Sequence, residues 1–149
     1  MNETLKRRVI DCAREVHRNL GPGLFQDIYE TCLAMELAKK GVGFERGRVL
    51  PLIYDGHQLE FSCQADFIIG DRLLLQVEAV DEIELIHEQR LRSCLWMGGF
   101  PLGLLLNFNV EEMDDGISEM TAPVVPRPAR DVFDDPEPGF LEVRIARRA

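Results

Sequence analysis

From Thr4 to Leu20 apolar residues recur every three or four positions, at Leu5, Val9, Ala13, Val16 and Leu20, with charged residues between them. Side chains at that spacing share one helix face, so the pattern predicts an amphipathic helix. Gly21-Pro22-Gly23 breaks it. A second helix is predicted over residues 24–40, with Phe25, Tyr29, Leu33 and Leu37 in a stripe that Ile28 and Cys32 widen; Gly41 is placed to end it.

The period then changes to two. Residues 44–54 read as a strand made irregular by Pro51, and Asp55-Gly56 is a hairpin turn signal. Over 58–67 the alternation is nearly strict. Leu59, Phe61, Cys63, Ala65 and Phe67 are predicted on one face, and Gln58, Glu60, Ser62, Gln64 and Asp66 on the other. After a Gly70-Asp71 turn, residues 73–80 form a third strand, 83–98 a third helix with Leu91, Cys94, Leu95 and Trp96, and 101–110 a central buried strand. The order ααβββαβ predicts an α/β domain over residues 1–120, with a mixed central sheet flanked by helices. Residues 121–149 form a proline-rich arm, in which FLEVRI (140–145) reads as an edge strand or a strand offered to a partner or second copy.

One stretch resists this apolar reading. Residues 73–80 are LLLQVEAV, and Gln76 and Glu78, two apart, project to the same side of a strand that is otherwise apolar. Burying an amide beside a carboxylate is costly unless both find partners. That face is therefore either solvated or the lining of a site.

Bulk properties narrow the classes. The chain of 149 residues is large enough for one domain with a core. Its net charge is −9 and its pI about 4.8, which disfavours nucleic acid as a partner because phosphates call for a basic surface. The basic clusters at 6–8, 39–48 and 144–148 read as solvated surface. No apolar run has the ~18 residues of a membrane span, and the N-terminus lacks a signal-peptide core, so no membrane is expected and the cytoplasm is the default compartment. Cys12, Cys32, Cys63 and Cys94 form no CxxC pair and read as free thiols; His17, His57 and His87 have no metal-ligand spacing. Gly21-Pro22-Gly23 lacks the spacing and following Lys of a phosphate loop. Asn107 and Asn109 read as closing a turn, and Tyr29 as core with a tethered hydroxyl.

Several pieces, in order, resemble one family. VHRNLGPGL (16–24), DIYE (27–30), ADFII (65–69), VEAVDEI (77–83), HEQRL (87–91) and GLLLNFNV (103–110) are similar to the GxxExxY proteins, a small bacterial branch of the PD-(D/E)XK nuclease superfamily. The resemblance covers residues 8–118 and implies a restriction-endonuclease-like core. It also implies a site in which an Asp on one strand and a Glu on the next hold Mg²⁺ and a Lys assists the attacking water. Phosphodiester hydrolysis calls for such a set, because a hard cation polarises the phosphoryl group and supplies hydroxide.

Laid on this chain, the resemblance places the family site at Asp66, Gln76, Glu78, Gln89 and Gln26. Asp66 and Gln89 match the family residues. Gln76 stands at the Glu position, Glu78 at the Lys position, and Gln26 at the Glu of the GxxExxY motif (Gly23 to Tyr29). A neutral amide is a poor Mg²⁺ ligand, and Glu78 cannot serve as a cation. The expectation is a decayed catalytic set on a nuclease fold, serving as a non-catalytic binding or scaffolding module, with no cofactor. The alternative is a divergent Mg²⁺- or Mn²⁺-dependent nuclease with Asp66 and Glu78 as metal ligands, since Mg²⁺ often takes only one or two protein carboxylates. Arg48 and Arg72 are the candidate replacements for the absent lysine.

Overall fold

The computed structural model describes residues 2–122. Helix α1 (Asn2–Leu20) and helix α2 (Gln26–Lys39) precede strands β1 (Phe44–Tyr54), β2 (His57–Ile69) and β3 (Leu73–Glu78). Helix α3 (Leu85–Gly98), strand β4 (Leu102–Asn107), a 3₁₀ turn (Met113–Gly116) and strand β5 (Ile117–Thr121) follow. The predicted order is therefore present, with β5 added. That strand is short, and its half-buried, partly polar ISEMT sequence lacks the alternation that announces a strand. The proline-rich arm and the 140–145 strand expected within it lie outside the described residues.

The five strands form one mixed sheet in sequence order. β1, β2 and β3 run antiparallel as a meander; α3 carries the chain over to β4, parallel to β3; β5 returns antiparallel beside β4. β4 is thus flanked on both sides, and Gly103 to Asn107 are buried, as the apolar run of 101–110 predicts.

The sheet separates two apolar layers. On one face α1 and α2 lay Val9, Cys12, Ala13, Val16, Tyr29, Leu33 and Leu37 against Phe67, Leu75, Val77, Leu104 and Leu106. On the other, α3 packs Leu91, Cys94 and Leu95 against Leu50, Ala65, Ile68, Leu74 and Leu105. Gly103 permits this approach: a Cβ there would meet the Leu91 and Leu95 side chains at 3.0 to 3.1 Å. Tyr29 has the role read from sequence. Its ring stacks on Phe108 at 4.8 Å, its hydroxyl donates to the Gly21 carbonyl, and the Leu24 N–H donates to it at 3.1 Å, tying the GPG turn to the core. Among the described residues no helix is long and apolar enough to cross a membrane.

Two expectations need correction. Phe25 does not belong to the buried stripe of α2; it precedes the first turn in extended backbone and is 79 % exposed, so the stripe begins at Tyr29. The alternation of β2 also fails at Asp66. Cys63 and Ala65 pack in the α3 layer, whereas Phe67 packs in the α1/α2 layer. The cause lies opposite, in β1, where Gly47 takes a φ of +67° that L side chains rarely adopt. The two strands roll over together there, and neighbouring residues exchange faces.

Candidate functional site

The roll at Asp66 also parts β2 from β3. Their ladder runs through Ile69↔Leu73, Ile68↔Leu74 and Phe67↔Leu75 and then stops. Beyond it, side chains replace the missing backbone partners. The Val77 N–H donates to Asp66 Oδ2 at 2.8 Å, and the Asp66 N–H donates to Gln76 Oε1 at 3.2 Å. Gln76 is therefore not idle on an apolar strand: its carbonyl satisfies an amide that the splayed strand leaves behind. At the far end Asn107 closes the β3–β4 pair, accepting from the Val80 and Asn109 N–H groups and donating to the Val80 carbonyl.

Around this opening the charges interact. Burial pushes the Asp66 carboxyl up to about 6; the Val77 N–H opposes the shift, Glu30 and Glu78 add to it, and Arg46 counters it. Burial also raises Glu78, against the pull of His87 and Arg90 from α3, with Glu30 again raising it. Glu30 ties α2 to the site. Gln26 Nε2 donates to Glu30 Oε2 at 2.9 Å, and Arg46 lies 3.4 Å from Glu30 Oε1 with its guanidinium 5.4 Å over the Phe67 ring.

The structure thus gathers Asp66, Gln76 and Glu78 at one end of β3 and joins Gln26 to them through Glu30. Gln89 is exposed on α3. His87 has a local duty: its Nδ1 accepts from the Glu84 N–H at 2.8 Å in a capping box. The cation that acts on Asp66 is neither Arg48 nor Arg72. Arg48 pairs with Glu45 on its own strand, while Arg46 interacts with both Glu30 and Asp66. Sequence reading missed Glu30 and Arg46. Glu30 had a signal, one helical turn after Gln26. Arg46 had none, because a register shift between Pro51 and Ile53 sets it opposite Phe67, whereas an unbroken hairpin ladder would set it opposite Ala65.

The donor set does not suit a divalent cation as it stands. One oxygen of Asp66 and the carbonyl of Gln76 are committed to backbone amides. Among the described residues no group of three or more His, Cys, Asp or Glu side chains is placed to hold a metal ion. Asp66 and Glu78 bring two desolvated carboxylates into mutual electrostatic range, and the cation that acts on Asp66, Arg46, is an arginine, which cannot release a proton near neutral pH.

A family model described as the PD-(D/E)XK nuclease superfamily matches residues 3–120. No match was found among curated proteins or among solved structures.

Proposed function

The chain belongs to the PD-(D/E)XK nuclease superfamily, and we propose that it is a non-catalytic member of it, of the GxxExxY branch, in which the former active-site cleft has become a binding or scaffolding surface. Superfamily chemistry rests on a divalent metal held by carboxylates, with a cation at the attacking water. The observation that carries the reading is the bridge at the β2–β3 splay, where Asp66 Oδ2 and Gln76 Oε1 are hydrogen-bonded to backbone amides. Glu78 stands where the resemblance calls for a lysine. Removing that cation leaves no side chain in this strand to offset charge developing on a phosphate. The acidic total, −9, adds repulsion against a polyanionic substrate.

Glu78 and Asp66 also support a second reading. Both carboxyls are raised by burial, and a bound cation would relieve that cost. On that reading the protein is a divergent Mg²⁺- or Mn²⁺-dependent nuclease. One assay separates the two: single-stranded and duplex DNA and RNA incubated with Mg²⁺ or Mn²⁺ and wild type, Asp66→Ala, or the Gln76→Glu/Glu78→Lys double variant. The expected result is no cleavage by wild type above the Asp66→Ala background. Cleavage by wild type that Asp66→Ala abolishes would overturn the proposal.

A further inference from the structure

We propose that the outward face of α2 is a dimer interface, on which a second copy of this chain lays its own α2 antiparallel about a two-fold axis. Helices α1 and α2 pack in the same layer, yet they turn different surfaces to solvent. α1 exposes Arg7, Asp11, Arg14 and Arg18, an ordinary charged face. α2 exposes Ile28, Thr31, Met35 and Ala38, with no charge among them. Their spacing places these four in one stripe along the helix, opposite the buried Tyr29, Leu33 and Leu37. Ile28 is 39 % exposed and Met35 60 %. A helix that is apolar on two faces calls for two packing partners, and the layer beneath α2 supplies one.

The stripe is complementary to itself. It is centred at the level of position 33, and a two-fold axis there sets each residue against the one equally far on the other side of that level. Ile28 then meets the partner's Ala38, and Met35 meets the partner's Thr31. At each contact a long side chain faces a short one, which lets the helices approach closely. Beyond the stripe, the exposed Phe25 falls against the partner's Gly41, where no atom lies within 4 Å of the space a Cβ would take.

Charge selects the direction. Asp27 and Lys39 are both exposed and equally far from the centre, so each copy's Asp27 meets the partner's Lys39. A parallel pairing would set Asp27 on Asp27 and Lys39 on Lys39. Exposed ion pairs add little affinity, but opposed like charges reject the wrong arrangement and fix register. Within one chain Lys39 contacts Glu36 at 3.4 Å, and its ammonium has further donors to offer Asp27. A dissimilar partner would impose no such symmetry on the stripe, so the occupant is a second copy.

A standard interface buries about 800 Å² per partner, and a helix about 21 Å long covers less, so the expected Kd is about 10–100 µM. Gln26 and Glu30 take no part, being engaged with each other and, through Glu30, with Arg46. The pairing therefore holds whether or not the region around Asp66 binds a metal.

Sedimentation velocity of the full chain from about 1 to about 500 µM tests it. The expected result is a reversible rise from 17.0 kDa toward twice that mass as concentration increases. Met35→Glu puts a carboxylate from each copy near the centre of the interface and should weaken the dimer by about tenfold or more. Asp27→Lys and Lys39→Asp should each weaken it roughly threefold, and the two together in one chain should restore the wild-type Kd. Val49→Glu, at an exposed apolar residue of β1, should leave it unchanged. Circular dichroism checks that each variant folds; if Met35→Glu does not, Thr31→Arg takes its place. A monomer at every concentration, a dimer that the stripe variant leaves intact, a dimer lost in Val49→Glu, or an Asp27→Lys/Lys39→Asp chain that does not regain affinity would each overturn the proposal.

Discussion

At one end of β3, Leu73, Leu74 and Leu75 pair with β2 on one side and β4 on the other and are at most 1 % exposed. At the other end Gln76, Val77 and Glu78 pair with β4 alone, because β2 has rolled away at Asp66. The strand and its β4 neighbour are the same, so the difference isolates what losing one ladder does. Where both neighbours are present, backbone groups satisfy each other and the side chains are free to be apolar. Where one is missing, amides need side-chain acceptors, and Asp66 and Gln76 provide them. The polar end of β3 therefore has a structural duty that does not depend on catalysis.

Truncating each end should separate the two regimes. The largest effect is expected at the apolar end. Leu75→Ala removes a fully buried side chain facing the α1/α2 layer and should cost about 2–5 kcal/mol by urea denaturation. A loss well under 1 kcal/mol would mean that this end is not the packed half of the strand.

The next effect has the opposite sign. Asp66 is raised from 3.8 to about 6 in the fold, chiefly by burial. The folded state then holds the proton more tightly than the unfolded chain, so stability is greatest below the unfolded value. It declines as pH rises from roughly 4 to 6 and stays lower above. Asp66→Asn keeps an acceptor for the Val77 N–H and removes the charge. It should stabilise the protein at pH 7 by about 2 kcal/mol after allowing for solvent screening and flatten that decline. Thermal melts across this pH range would show it, and destabilisation at pH 7 would contradict it.

Tyr29→Phe should cost about 1 kcal/mol, because it removes both hydrogen bonds to the GPG turn and keeps the stack on Phe108. Chemical denaturation checks it. The smallest change should come from Arg46→Met, which removes the cation that counters Asp66's rise and should move the Asp66 titration upward in a carboxyl-detected NMR experiment. A downward move would mean that Arg46 does not act on this site.

These contrasts also show what the residue pattern reveals by itself. The α and β elements were legible because amphipathic period is local: Val9, Ala13 and Val16 repeat within one helix, and Leu102 to Leu106 form one apolar run. The oddity of Gln76 and Glu78 was legible for the same reason. The roll at Asp66 was not, since it depends on Gly47 in another strand, and a glycine within a strand marks irregularity without saying which side chains change face. Arg46 was hidden by the register shift between Pro51 and Ile53, and Phe25 misled because an apolar residue at helical spacing can still lie before the first turn.

The central claim is that the polar end of β3 serves the backbone and no longer serves a metal. Calorimetric titration of Mn²⁺ into wild type, with Asp66→Ala as the control, tests it without assuming a substrate. The account predicts no saturable heat at millimolar Mn²⁺ in either protein. Saturable binding by wild type that Asp66→Ala removes would contradict it and restore the nuclease reading.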